Sequence, residues 1–494
     1  MRILLINPPD LNKVVENPDE RGEEFLEADS FGDFPPLGAL YVLSHLEART
    51  HGHQLFFKDC VAERARYDGL RRYIEETRPD VVGITSFTVC LMDVVLTARL
   101  IREIVPHAHL CLGGHHPIAY PKEAAELPEF DSIVVGEGEE AFTQLVNCLE
   151  KGEDFTHIRG VYTRDSIRGH LDNPVHDKRF LARVNVPAAY VEDIDALPML
   201  NRSHIRQYRY HNIIGSTDDL ATILSSRGCP YRCTFCDVPI KSYRERSPEK
   251  VCDEIEACLA MGYKEFRFYD DLFNINEKKV IAFCDALEKR RLKITWDFRG
   301  RVNGVGRESL VRAKKAGLRM ISFGVETGTD EGLKALRKGV TTAKIRDAFK
   351  WCRELGILTV ADYIIGQPFE KTPEDVRRNI DFLVDLDPDY AQVSVLKLYP
   401  NTEMYDDAVA LGVVAAGRWQ EFAAAPARDF IVDHWNQYMD LATLVRLQKG
   451  AYRRFYFRPR YILRSVLQTG SVHQFVSKAK GAIKLLKTNM RMAG

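Results

Sequence analysis

Ser226-Arg227-Gly228-Cys229-Pro230-Tyr231-Arg232-Cys233-Thr234-Phe235-Cys236 sets three thiols within eight residues, directly after an apolar, β-rich run at Ala221 to Ser225. Three thiolates suffice to hold three irons of a cubane cluster and to leave the fourth iron open. The competing reading is zinc, which also takes closely spaced thiolates but closes with four ligands in structural sites. No fourth cysteine or second CxxC stands nearby, and Cys252 and Cys258 fall on a predicted helix.

Outward from this loop toward the C-terminus, strand-like runs recur at Glu265 to Tyr269, Ile294 to Phe298, Met320 to Val325, Thr359 to Ile365 and Tyr390 to Leu396. Amphipathic stretches separate them at Pro248 to Met261, Glu277 to Arg290, Glu308 to Lys315 and Thr342 to Leu355. Six such β/α units predict a partial (β/α)6 barrel over residues 216–430. Toward the N-terminus a second alternation of short β-rich runs (Ile3 to Ile6, Gln54 to Lys58, Val81 to Ser86, His109 to Leu112, Ser132 to Val135) and helices predicts a doubly wound, Rossmann-like α/β domain over 1–150. Its strand ends carry small polar loops that would face one crevice, where such domains bind ligands. Residues 151–215 lose the alternation, carry Pro174, Pro187 and Pro198, and read as a linker with a small hairpin around Ile158 to Tyr162.

The 69 Lys and Arg against 70 Asp and Glu leave no whole-chain field to attract nucleic acid. The 11 cysteines, with only a short apolar stretch before Pro8, suit reduced thiols in the cytoplasm rather than a disulfide framework.

The Cx3CxxC motif at the end of the first strand of a (β/α)6 unit resembles the radical S-adenosylmethionine (SAM) superfamily. That resemblance implies a [4Fe-4S] cluster on Cys229, Cys233 and Cys236. SAM would chelate the open iron, and one-electron reduction would split it into methionine and a 5'-deoxyadenosyl radical. The electron would come from a donor such as flavodoxin or ferredoxin. Further pieces resemble the family's SAM-contacting elements: Phe235 in the cysteine loop; Tyr269-Asp270-Asp271-Leu272-Phe273, whose Asp270 and Asp271 would accept hydrogen bonds from the SAM ammonium; and Trp296 to Asn303, where Arg301 rather than Arg299 would pair with the SAM carboxylate. Phe323 to Gly328 presents Glu326, and Ile364-Ile365-Gly366-Gln367-Pro368-Phe369-Glu370 is similar to the adenine-side loop, with Gln367 and Phe369 departing from the commoner form.

The first 150 residues resemble the cobalamin-binding domain that precedes the barrel in one class of these enzymes, which includes methyltransferases and the anaerobic tetrapyrrole cyclases. The matching stretches are Asn7-Pro8-Pro9, Phe34-Pro35-Pro36-Leu37-Gly38, Ser86 to Thr88, Gly113-Gly114-His115 and Gly136-Glu137-Gly138-Glu139. Small residues there would let the corrin approach the backbone. No Asp-x-His-x-x-Gly occurs, so the usual lower histidine ligand to cobalt is missing. His115 and His116 read first as loop imidazoles engaged in hydrogen bonds. The class implies C-methylation of an unactivated carbon in a small or lipophilic substrate. The alternatives are an oxidative cyclisation or rearrangement, and a noncatalytic iron-sulfur or cobalamin carrier.

Residues 431–494 form a helical, basic C-terminal region. Residues 441–494 hold 12 Lys and Arg and no Asp or Glu. Between Val472 and Met490 apolar residues fall on one helical stripe, with Lys478, Lys480, Lys484 and Lys487 on the rest, a pattern that fits either peripheral contact with an anionic membrane or packing on the barrel. The mixture of aromatics and arginines at Tyr452 to Tyr461 also suits nucleic acid in composition, but no RNA-binding fold accompanies it.

Overall fold

The computed structural model describes residues 1–16, 32–181, 184–212, 217 and 219–467. The first sheet contains β1 (Arg2–Asn7), β2 (Gln54–Asp59), β3 (Val81–Ser86), β4 (His109–Gly114), β5 (Ser132–Val134) and β6 (Val161–Tyr162), in the spatial order β2-β1-β3-β4-β5-β6. All pairs are parallel except β5 with β6. The order reverses at β1, the mark of a doubly wound sheet whose ligand crevice lies at the carboxyl ends of its strands. Ile3 to Ile6 are buried without alternation, as helices on both faces of a parallel sheet require. The hairpin expected near Ile158 to Tyr162 is instead the edge strand β6. Val161 and Tyr162 are fully buried and find their partners across the chain on β5, not in each other.

The second sheet follows the sequence without a swap: β7 (Leu220–Ile223), β8 (Glu265–Phe268), β9 (Thr295–Gly300), β10 (Leu318–Glu326), β11 (Leu358–Ile365) and β12 (Tyr390–Val395), all parallel. This is the six-stranded partial barrel read from the sequence. Outward residues such as Phe266, Phe268, Phe298, Phe323 and Tyr363 pack into one core under the helices. Inward positions include Arg267, Asp297, Ser322 and Asp362, so the lumen is polar, with Arg267 Nε donating to Asp297 at 2.5 Å and Ser322 Oγ to Asp362 at 2.9 Å.

A barrel of six strands leaves an open edge at β12, whose bare N–H and C=O groups would template aggregation. The helix Leu441–Tyr456 covers it with side chains. Gln448 Nε2 donates to Val393 O at 2.7 Å, while the Tyr452 and Tyr456 hydroxyls each accept from a β12 N–H at 3.0 Å and donate to the same residue's carbonyl. The aromatics that suited nucleic acid by composition therefore close the barrel. The stripe from Val472 to Met490 lies outside the described residues. Among the described residues no helix is long and apolar enough to cross a membrane.

Two seams join the units. Val15 forms a parallel bridge with Ile431, and Glu16 engages Lys397 and Tyr399, so the first unit's N-terminal segment reaches the residues that follow the last barrel strand. At the cysteine loop Arg227 donates to Glu137 at 2.9 Å and Glu139 at 2.6 Å, and lies 4.9 Å over the Tyr41 ring, while Arg244 reaches Glu137 at 2.7 Å. Removing one partner of such a buried set leaves an uncompensated charge, which costs about 3–5 kcal/mol. Arg227→Ala should therefore lower unfolding stability by about that amount in a denaturant titration, against about 1 kcal/mol or less for the exposed pair broken by Arg377→Ala.

Candidate functional site

The cysteine loop leaves β7 and is fastened at its root. Ser226–Arg227 pairs antiparallel with Arg244–Glu245, and the Cys229 N–H donates to Ile240 O at 3.0 Å. Between them Gly228 turns at φ +80°, where an added Cβ would lie 2.2 Å from Ser242 O, so only glycine fits. Asp270 accepts from Ser225 N at 2.7 Å, from Ser226 Oγ at 2.8 Å and from Ser226 N; Asp271 accepts from Gly228 N at 3.0 Å. The two aspartates thus hold the loop in place. The buried Asp270 carboxylate, expected on the SAM ammonium, takes its serine donors mainly on Oδ1 and so also fastens the root of the loop. Asp271 remains exposed on the other side.

All three loop cysteines are free, half-buried thiols. Burial pushes Cys229 up and Cys236 up to about 12, so loading with metal must displace protons. Among the described residues no three His, Cys, Asp or Glu side chains converge to metal-ligand geometry, so the donor set shares one loop without being preassembled. Cys252 and Cys258 are buried in the barrel core, which withdraws them as further ligands and with them the zinc alternative.

The donor set fits a cluster with SAM beside it. At the end of β9, buried Arg301 sends Nη1 to the Cys233 sulfur at 3.4 Å, sends Nε to Asn303 Oδ1 at 3.3 Å and lies 3.8 Å over the Tyr231 ring. Its Nη2 is buried with no partner, a position that calls for an anion such as a carboxylate. Glu326 ends β10 at φ +67°, a left-handed conformation costly for a non-glycine residue, and receives Lys338 Nζ at 2.8 Å. The same Lys338 Nζ lies 5.8 Å over the Phe235 ring. Ile364, near the end of β11, packs with Phe235 against an apolar cluster that runs from Ile84 and Leu112 of the first sheet to Leu336 and Leu398 of the barrel. Beyond it, Gln367 keeps a buried, unpartnered amide oxygen at the adenine-side loop.

Sequence reading missed Lys338, Tyr231 and Asn303 as parts of this site. Tyr231 and Asn303 stand inside the two motifs that it quoted. Lys338 carries no local signal, since nothing at its position distinguishes it from a surface lysine.

At the strand ends of the first sheet, Ser86 Oγ donates to Gly113 O at 2.7 Å, Thr88 Oγ1 meets His116 Nδ1 at 3.1 Å, and Asn7 Nδ2 donates to Asp59 at 2.8 Å beside buried Pro8. Gly114 turns at φ +93°, where an added Cβ would lie 2.6 Å from the Ser86 backbone. His115 is exposed and stacks on Phe87, centroids 5.0 Å apart, and Phe87 is itself 55% exposed. Half-buried Pro36, buried Leu37 and exposed Gly38 begin the helix Leu37–Arg49, with open space above Gly38. The next expected stretch serves otherwise: Gly136 bridges to Ala189, Glu137 is taken up by Arg227 and Arg244, and Gly138 starts the helix Gly138–Lys151 against Val42. Glu137 is therefore a joint between the units, where cofactor contact was expected, because both of its oxygens are held by arginines.

A doubly wound domain facing the cysteine-loop end of a partial β/α barrel defines a cofactor-dependent α/β enzyme with two adjoining sites. The chain belongs to the radical SAM superfamily and carries a B12 binding domain: the two family models match residues 223–383 and 25–146. Its cofactors are accordingly a [4Fe-4S] cluster, SAM and cobalamin. The chain is 27% identical over 484 residues to an uncharacterized methyltransferase of Pyrococcus horikoshii, covering 97% of this chain and 96% of that protein. It is 29% identical to the anaerobic magnesium-protoporphyrin IX monomethyl ester cyclase of Rubrivivax gelatinosus, covering 82% and 70%. Among solved structures the radical SAM methyltransferase TsrM from Kitasatospora setae, with cobalamin and a [4Fe-4S] cluster bound, shares the fold at TM-score 0.68 and 19% identity over 100% of both chains.

His116, beneath this surface, is fully buried with Nε2 unpartnered, and burial holds its imidazole down at about 3. The unfolded chain, titrating near 6.5, binds the proton first, so the stability held at neutral pH is lost as pH falls from about 6.5 toward 3. His116 should contribute a slope of about 1.4 kcal/mol per pH unit in that window. Paired unfolding curves at pH 6.5 and 5 should show a smaller acid loss for His116→Gln than for the unchanged protein.

Proposed function

We propose that the protein is a cobalamin-dependent C-methyltransferase acting on an unactivated carbon. The observation that carries this reading is the packing of Phe235 of the cysteine loop and Ile364 of the barrel against the apolar cluster that holds Ile84 and Leu112 of the first sheet, which sets the two cofactor sites side by side. Bound there, the cluster supplies the electron that cleaves SAM, and cobalamin carries the methyl group. The chain's own part is positional: Cys229, Cys233 and Cys236 hold the iron, and Arg301 offers Nη2 to the SAM carboxylate. Glu326, anchored by Lys338, would face SAM from the fourth barrel strand, and Phe235 and Ile364 exclude water from between the units. Ser86, Thr88, Gly113, Gly114 and His115 would line the cobalamin side, with Pro36, Leu37 and Gly38 at its margin.

The kinship with the cyclase keeps a second reading in view, oxidative cyclisation with the same cofactors. A substrate that gains 14 mass units and leaves S-adenosylhomocysteine supports methylation; loss of hydrogen or gain of oxygen supports cyclisation. A low-potential flavodoxin or ferredoxin would serve as electron donor, and the basic tail beyond Leu467 would bring the enzyme to an anionic membrane bearing a lipophilic substrate.

The first test needs no substrate. After anaerobic reconstitution with iron, sulfide and hydroxocobalamin and then desalting, the protein should keep nearly one cobalamin per chain. With reductant and SAM it should form about one S-adenosylhomocysteine per cobalamin. A cluster retained without cobalamin would overturn the methyl-transfer reading and leave the radical SAM assignment standing.

A further inference from the structure

The contact of Arg301 with a cluster-ligand sulfur has a second aspect beyond SAM recognition. A guanidinium confined in a pocket can turn about its long stem, and an arginine needed at two places at once must be fixed. Tyr231 and Asn303 do this together. The Arg301 guanidinium carbon lies over the Tyr231 ring, 3.8 Å from its centroid; the Asn303 side chain accepts from Arg301 Nε at 3.3 Å and donates its Nδ2 to the Tyr231 hydroxyl at 3.2 Å. Further back, Asn274 Nδ2 donates to Arg301 O at 2.7 Å while its Oδ1 accepts from Arg301 N at 3.0 Å, which locks the backbone. With stem, plane and backbone all held, Nη1 is left on the Cys233 sulfur at 3.4 Å and Nη2 is buried with nothing to bond.

Tyr231 belongs to the intervening residues of the cysteine motif itself, so the same short loop supplies both the iron ligands and the platform that aims a cation at one of them. A positive hydrogen-bond donor on a ligand sulfur stabilises the extra electron of a reduced iron-sulfur cluster, and such donors are among the groups that set its potential. We propose that Tyr231 is a positioning residue that, with Asn303, fixes Arg301 so that one guanidinium nitrogen raises the potential of the cluster through Cys233 while the other awaits the SAM carboxylate. Electron acceptance and SAM binding are thereby coupled through one side chain. The inference rests on the assignment of the cluster to Cys229, Cys233 and Cys236.

The experiment uses the full chain, reconstituted anaerobically, with iron and sulfide assayed for each variant. The midpoint of the one-electron couple is read by EPR-monitored titration against dithionite, and SAM affinity by equilibrium binding. Tyr231→Leu and Arg301→Gln should keep four irons per chain, yet hold about tenfold less reduced cluster at a fixed solution potential, which is about 59 mV for one electron. SAM should bind them about tenfold more weakly. Tyr231→Phe, which keeps the ring, should stay near the unchanged protein in potential, and Asn303→Ala should fall between. If Tyr231→Leu assembles no cluster, the Asn303→Ala potential decides. Unaltered potentials in every cluster-bearing variant of Tyr231 and Asn303 would overturn the inference. Absence of iron from the unchanged protein would instead overturn the cluster assignment beneath it.

Discussion

The buried ion pairs of Arg227 with Glu137 and Glu139 are the constraint on which the site depends. They join the first residue pair of the cysteine loop to the start of a helix on the other unit. Carboxylates at a helix N-terminus are favourable in themselves, and here the same charges neutralise an arginine that would be costly to bury alone. The root of the loop is thereby fixed to the first unit through Arg227 and to the barrel through Asp270 and Asp271. The two units are thus joined beside the cysteine loop by buried ion pairs.

That arrangement explains why the acidic residues near the site divide into two kinds. Asp270 and Glu137 take donors from the root of the cysteine loop and act as fasteners. Asp271 is exposed, and Glu326 is held by one lysine on a strained backbone. Strain of that sort persists only where surrounding packing enforces it, and its presence at a strand end marks a carboxylate aimed rather than merely accommodated.

The sequence made the eleven parallel strands legible because a parallel strand buried on both faces must be a short β-branched and aromatic run, and because helices with clear caps separate them. Thr341, Thr372 and Ser247 each cap such a helix through a side-chain oxygen. The cysteines and Arg301 were legible as motif positions. The role of Asp270 was not, because a carboxylate after a strand looks the same whether its donors are a ligand's or a neighbouring loop's. Glu137 misled for a similar reason: its partners Arg227 and Arg244 lie some 90 and 107 residues away, and only the folded chain brings them together. The edge strand at Val161 likewise needed β5 to define it.

The seam at the other end has its own meaning for how the chain is made. Val15 emerges among the first residues, whereas the strand partner it meets, Ile431, follows the last strand of the barrel. Contacts so far apart in sequence close late, since the loop entropy between them must be met first. The strands of both sheets precede Ile431 in the chain, so this seam joins the two units only after both sheets have been made.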